Sequence, residues 1–234
     1  MLRAGRFGFC ALLLRAALAQ IQPDVAEILK RVSATYKAAS QYEFVADATL
    51  HDPRMGTIRS HMLIAFRAPD KYRMEGGLPG IRLGNSDFSE GVVVHDGSVV
   101  WFYFPKANKY GSIPAEALTV NARGDAGDLR PEMVDYLMRL RYTEAQLTTG
   151  SKYVREEAVE FGGAQAACYV VMVSPDRRGS PYTLWVDKKN YHILREDREG
   201  SSVVFTIVKL DEPLSDELFQ FKPPRGARKL KMQR

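Results

Sequence analysis

The stretch HDGSVVWFYFP, residues 95–105, decides how the middle of the chain folds. Asp96-Gly97 is typical of the tight turn of a β-hairpin and predicts a type I′ turn with positive φ at both residues. Val99–Phe104 follows as six apolar residues in a row, four of them aromatic. Because a strand with one wet face alternates apolar and polar residues, this run raises the question of what covers its second face.

The segments on both sides of this hairpin also have the period of a strand. Residues 42–50, 58–67 and 71–75 alternate apolar and polar side chains, which indicates an antiparallel sheet with one wet face. Further strands are predicted after a break in the pattern, at 153–161, 167–173, 182–186, 191–196 and 203–210.

Two segments have helical spacing instead. Residues 23–39 predict a helix with Pro23 in its first turn. Residues 127–140 predict a second helix, with Asp128 as N-cap and Pro131 in the first turn. The predicted fold class is therefore mainly β (α+β), a curved antiparallel sheet with two or three helices to cover one face.

The first 19 residues have the composition of an export signal. Arg3 and Arg6 precede the apolar stretch 7–14, and Ala17-Leu18-Ala19 fits a signal-peptidase site. An uncleaved anchor or a wrongly assigned start are the alternatives. Without residues 1–19 the formal charge falls from +5 to +2, so the composition gives no reason to expect nucleic acid as a partner. We expect one exported domain over 20–234, with the signal peptide cleaved near Ala19.

The polar residues do not form a recognisable catalytic or metal-binding pattern. The four histidines lack metal-ligand spacing, and no serine lies in a nucleophile elbow. Cys168 lies in an apolar strand segment and is interpreted as a buried structural thiol. We therefore expect no enzyme activity, no metal and no cofactor.

The remaining indication of function in the sequence is its large, flexible apolar side chains. Methionine and aromatic residues recur on the apolar faces of the predicted strands and helices. Such a set can fill an ordinary core or line a cavity for an apolar ligand, and both have the same binary pattern. Periodicity alone leaves both interpretations open.

Four motifs, in order along the chain, resemble the LolA family of periplasmic carriers of outer-membrane lipoproteins. They are a helix leading into SQYEFVADATL (40–50), FRAPDKYRM (66–74), the HDGSVVWFYFP hairpin, and FQFKPPRGA (219–227). The resemblance covers nearly the whole chain after the export signal.

The resemblance implies an unclosed half-barrel whose concave face is covered by helices over a hydrophobic cavity. It implies a location in the periplasm, acylated lipoproteins or lipids as cargo, and a monomer. Its implied partners are an inner-membrane release complex and an outer-membrane acceptor. We expect Trp101 and Tyr103 to face inward. The predicted lipid-binding residues are Leu29, Val32, Tyr36, Phe44, Leu50, Met62, Ile64, Phe66, Tyr72, Met74, Trp101, Tyr103, Met133, Leu137 and Met172.

One position departs from the family pattern. The family places an arginine that helps to hold the lid closed directly before the strand-ending proline, but Ala68 precedes Pro69 here. Arg67, one residue earlier, is the lid latch candidate if a bulge turns it inward, since a shift of one residue reverses the face. An envelope-stress sensor or regulatory lipid-binding module of the same fold is the alternative function.

The last residues of the chain are basic. KPPRGARKLKMQR (222–234) carries six Lys or Arg residues and no acid. Either it is a solvated terminus, or it attracts anionic headgroups or an acidic membrane partner.

Overall fold

Strands make up most of the described chain. A computed structural model describes residues 23–77, 82–83, 86–87, 90–118, 129–143, 150–174 and 180–230, and the predicted export signal lies outside them. The strands are β1 (Gln41–Asp52), β2 (Gly56–Arg67), β3 (Lys71–Gly76), β4 (Arg82–Leu83), β5 (Ser86–Asp87), β6 (Gly91–His95), β7 (Val99–Phe104), β8 (Lys109–Pro114), β9 (Lys152–Phe161), β10 (Ala164–Val173), β11 (Tyr182–Asp187), β12 (Ile193–Arg198), β13 (Ser201–Leu210) and β14 (Arg228–Lys229).

Twelve of these strands form one open, curved sheet in the order β14-β8-β7-β6-β3-β2-β1-β13-β12-β11-β10-β9. All neighbours are antiparallel except β14 and β8, which are parallel. One wing comprises β1, β2, β3, β6, β7, β8 and β14, the other comprises β9–β13, and the two join where β1 pairs with β13. Register shifts at Val45/Ala46, Val170/Val171 and Trp185/Val186 mark bulges, which bend and twist a sheet. The predicted mainly-β class and antiparallel sheet are confirmed.

Two α-helices lie in the described chain. α1 (Val25–Ala38) begins after Asp24, whose carboxylate accepts from the Ala26 N–H at 2.9 Å, so Pro23 precedes the helix rather than lying in its first turn. α2 (Pro131–Met138) has Pro131 at its first position and ends before Arg139. A 3₁₀ turn, Leu140–Thr143, replaces the last predicted helical residues. The predicted N-cap Asp128 lies outside the described residues.

One face of the sheet carries the main hydrophobic core, and we call it the core face. Its side chains form rows across neighbouring strands, such as Tyr42, Phe66 and Tyr72 in one row and Phe44, Ile64, Met74 and Phe102 in the next. Ile28, Leu29, Val32 and Tyr36 of α1 belong to the same buried cluster, so α1 packs on this face. We call the opposite side the outer face.

β7 shows why residues 99–104 are apolar on both sides. Val100 and Phe102 are buried in the core cluster. Trp101 and Tyr103 lie on the outer face, where Phe221 covers them with ring centroids 5.4 Å and 6.4 Å away. The second face of this strand is therefore covered by the C-terminal segment of the chain. The prediction that Trp101 and Tyr103 face inward is wrong.

The hairpin before β7 is confirmed, but its predicted turn type is wrong. Only Gly97 has positive φ, at 102°, whereas a type I′ turn requires it at Asp96 as well. The Asp96 carboxylate instead accepts from the Ser98 and Val99 N–H groups, each at 2.9 Å. Hydrogen bonds to the Asp96 carboxylate thus stabilise this turn, in place of the two positive-φ residues that were predicted.

Candidate functional site: the core face and its helical cover

α1, α2 and the 3₁₀ turn Leu140–Thr143 together form what we call the helical cover. Val134 of α2 and Tyr142 of the turn are buried in the same cluster as the core-face side chains. α2 alone has only eight residues, too few for a stable isolated helix in water. The cover therefore depends on its contacts with the sheet and on those between its own parts.

Arg139 joins α2 to α1. Its Nε and Nη2 donate to the Asp135 carboxylate at 2.8 Å and 2.5 Å, and both side chains are about nine-tenths buried. Its Nη1 donates to the carbonyls of Tyr36 at 3.0 Å and Lys37 at 3.4 Å. These are among the last carbonyls of α1, which have no partner within the helix. One guanidinium thus neutralises a buried carboxylate and caps a helix end.

Glu196 of β12 joins the sheet to the 3₁₀ turn. Its side chain is 3 % exposed, and Oε2 accepts from the Tyr142 hydroxyl at 2.6 Å and from Arg141 Nη2 at 3.1 Å. Arg198 Nε donates to the other oxygen at 2.6 Å. Burial by itself raises the pKa of Glu196, but Arg141, Arg198 and the Tyr142 hydroxyl lower it more, so the net pKa is below its usual value.

Two tyrosine hydroxyls complete the attachment of the cover. The Tyr36 hydroxyl of α1 accepts from the Ile193 N–H at 3.0 Å, and burial raises its pKa. The Tyr72 hydroxyl of β3 donates to the carbonyl of Leu129, just before α2, at 2.6 Å. Polar contacts therefore hold the cover to both wings of the sheet, around an apolar interior.

Nine of the predicted lipid-binding residues come together in the core cluster. Each of them is at most 9 % exposed. They are Leu29, Val32, Tyr36, Phe44, Met62, Ile64, Phe66, Tyr72 and Met74.

The other six predicted lipid-binding residues are placed differently. Leu50 and Met172 are half-buried and lie outside the core cluster. Trp101 and Tyr103 lie on the outer face, as described above. Met133 and Leu137 belong to α2, but their side chains lie outside what the structure describes.

Arg67 does not hold the cover, so the prediction that it is the lid latch is wrong. It points to the outer face, opposite to Phe66, because no bulge interrupts β2 before it. Its guanidinium donates to the Asp216 carboxylate and the Leu214 carbonyl and lies 4.8 Å from the ring centroid of the buried Phe219. Arg67 thus holds residues 214–219 of the C-terminal segment against the outer face of the sheet.

Sequence reasoning missed the residues that do hold the cover. The i, i+4 pair Asp135 and Arg139 within an apolar helix was the available signal, since two opposite charges on one helical stripe can be buried together. Glu196 gave no signal, because its partners Arg141 and Tyr142 are more than fifty residues away in sequence.

A pocket of about 610 Å³ opens at the rim of the cover, between the β6–β7 turn and the start of α2. None of its described lining residues is a predicted lipid-binding residue. Burial lowers the pKa of His95, whose Nδ1 accepts from the Gly97 N–H at 3.0 Å, so the neutral ring carries its proton on Nε2. The other lining residues are Asp70, Ala115, Leu118, Arg130, Pro131, Glu132 and Tyr136.

Comparison with known proteins assigns the chain to a family. The model of a family described as "Predicted periplasmic protein (DUF2092)" matches residues 25–233. The chain belongs to this family. The predicted periplasmic location of the DUF2092 protein agrees with that description and is confirmed. Within the described residues, no helix has the length and apolarity needed to span a membrane.

A curated relative is known from an archaeon. It is an uncharacterized protein of Methanocaldococcus jannaschii, 24% identical over 210 residues that make up 88% of this chain. The chain spans about half of that relative, 54% of its length.

Solved structures similar to the DUF2092 protein include LprF, a LolA superfamily protein and MucB. LprF from Mycobacterium bovis is 13% identical with a TM-score of 0.52, over 83% of this chain and 96% of that one. A LolA superfamily protein from Nitrosomonas europaea is 13% identical with a TM-score of 0.33, over 86% and 99% of the two chains. MucB of the Pseudomonas aeruginosa MucA/MucB complex is 15% identical with a TM-score of 0.44, over 86% and 62%. Of these, the LprF likeness shows a shared fold.

Proposed function

We propose that this DUF2092 protein binds the acyl chains of lipids or lipoproteins between the core face and the helical cover, and carries them through the periplasm. The observation that carries the proposal is an apolar core face, rich in aromatic and methionine side chains, under a helical cover that packs on it and also makes polar contacts with both wings of the sheet. The sequence resemblance to the LolA carriers and the membership of a periplasmic family support the same assignment.

The chemistry of the cargo explains why such a carrier needs a cover. An acyl chain of about 15 carbons costs roughly 12 kcal/mol to hold in water, at about 0.8 kcal/mol per CH₂ group. A binding surface that apolar must itself be shielded when empty, or it adheres to other surfaces. A cover that closes without cargo and moves aside with it meets both needs by a population shift, with no covalent step.

The proposal is tested on protein purified from the periplasm. Native mass spectrometry, with organic extraction of the bound material, should detect acylated cargo. A fluorescent palmitate analogue should then bind the delipidated protein and be displaced by unlabelled palmitate. No extracted lipid and no palmitate binding would overturn the proposal, and a co-purified protein partner without lipid would favour the regulatory alternative.

A matched pair of tryptophan substitutions tests where the acyl chain lies. Met62 is on the core face at 9 % exposure, whereas Val204 of β13 is on the outer face at 36 %. Met62→Trp places a larger, rigid side chain on the proposed acyl-binding face and should weaken palmitate binding, while Val204→Trp should not. Circular dichroism confirms that both variants are folded, and equal palmitate affinity in the two would contradict the assignment to the core face.

A further inference from the structure

The edge of the sheet at β8 and β14 gathers cations from two distant parts of the chain. Residues 105–110 and 222–229 contain six Lys or Arg residues and no Asp or Glu. They are held together by backbone hydrogen bonds, from Arg228 N–H to the Asn108 carbonyl at 3.0 Å and from Leu230 N–H to the Tyr110 carbonyl at 2.7 Å. The basic C-terminal residues 222–229 are therefore fixed to the folded body rather than forming a free terminus.

These cations are weakly neutralised. Lys106 and Lys222, whose side chains are 71 % and 74 % exposed, have carboxylate partners at 3.5 Å and 3.7 Å, the Glu90 and Glu217 side chains. Arg225, Arg228 and Lys229 are exposed on the surface. This edge thus carries an excess of positive charge that is set by the fold.

An aromatic cluster lies beside these cations on the outer face. Phe221 contacts Trp101, Tyr103 and Tyr110 with centroid distances of 5.4 Å to 6.4 Å, and all four rings are half-buried. The register of β14 on β8 places Lys229 next to Tyr110. Tryptophan and tyrosine favour the boundary between lipid and water, and Lys and Arg favour anionic headgroups.

We propose that this surface, formed by the aromatic cluster and the six cations, docks on membranes rich in anionic phospholipid. Charge complementarity and half-buried amphipathic rings both match a headgroup layer. The surface is on the opposite side of the sheet from the helical cover, so docking does not require the core face to be open. The inference therefore holds whether or not the core face carries acyl chains.

The test uses the Trp185→Phe variant of the full chain, in which Trp101 is the remaining tryptophan of the two. Vesicles of phosphatidylcholine with phosphatidylglycerol should bind the protein in sedimentation and shift Trp101 emission to shorter wavelength, and pure phosphatidylcholine vesicles should not. Binding should fall between about 0.1 M and 1 M salt, because screening shortens the range of the attraction from about 10 Å to about 3 Å.

Paired charge variants separate this surface from general electrostatic attraction. Arg228→Ser with Lys229→Ser should weaken binding about 25-fold, at about fivefold for each charge near the membrane. The control, Arg54→Ser with Arg59→Ser, removes the same charge from exposed positions at the β1–β2 hairpin and should leave binding unchanged. Equal losses in both variants, equal binding to both kinds of vesicle, or no binding to either would overturn the proposal.

Discussion

Replacing Arg139 with methionine should loosen the helical cover without unfolding the sheet. The change leaves the Asp135 carboxylate, whose side chain is 10 % exposed, without its cation. It also leaves the Tyr36 and Lys37 carbonyls at the end of α1 without the Arg139 donor. Breaking a buried ion pair from one side costs about 3 to 5 kcal/mol, which exceeds what a short helix such as α2 can supply from its own propensity.

Hydrogen exchange is the appropriate assay, because this loss is local. The amides of residues 34–38 and 134–143 should exchange faster in Arg139→Met, whereas those of β10–β12 should keep their protection. A dye that fluoresces in apolar surroundings should also bind more strongly, since the core face becomes accessible. Arg155→Met is the matched control, because Arg155 pairs with Glu157 on the exposed edge strand β9 and its loss should change neither readout.

The double variant Asp135→Leu with Arg139→Met decides whether the buried charge is the cause. Two apolar side chains of similar volume remove the unpaired carboxylate, so protection of the cover should return most of the way to wild type. If the double variant exchanges as fast as Arg139→Met, or if the sheet loses protection in parallel, the reasoning that assigns the cover to this ion pair is refuted.

Three further predictions concern the rest of the molecule. Folding lowers the pKa of Glu196, so the ionised side chain stabilises the folded state above its usual pKa of 4.5. This stabilisation is lost as the pH falls through the folded pKa. The urea midpoint of Glu196→Gln should therefore fall less steeply with acid than that of the wild type. Arg67→Met should expose residues 214–221 to limited proteolysis, with cleavage after Leu218 or Phe219, because it removes the contacts with Leu214, Asp216 and Phe219; an unchanged digestion pattern would contradict that role. Burial raises the pKa of Cys168 to about 12, so a thiol reagent at neutral pH should label Cys168 only as urea unfolds the chain, and rapid labelling of Cys168 in native protein, located by peptide mapping, would refute this burial.

The sheet was largely predictable because its signals are local. Period-two alternation in β1, β2 and β3 and the Asp96-Gly97 turn each lie within about ten residues, and hydrophobic burial of one face enforces that pattern. Strand ends were less predictable. Tyr191, expected within a strand, has φ of 61° in the turn before β12, because the alternating pattern does not record where a turn ends.

The candidate site was predictable only in part, for a physical reason. Nine buried residues, six on the core face and three on α1, follow from periodicity, but the orientation of Trp101 does not, since an aromatic run has no polar residue to mark its outer side. The ring of Trp101 packs against Phe221, which is 120 residues later in the chain. The contacts of Arg139 and Glu196 likewise join distant segments, and single-sequence patterns carry no information about such pairings.

The pairing of β1 with β13 has a consequence for how this protein reaches its native state. Each wing of the sheet consists mainly of strands that pair with near neighbours along the chain, so each can assemble early with little loss of loop entropy. The pairing of Tyr42 with Leu210 must wait until β13 has been synthesised, more than 150 residues after β1. Before that closure, β1 and β13 are unprotected strand edges, the stage at which newly made chains are most exposed to aggregation and most in need of a chaperone.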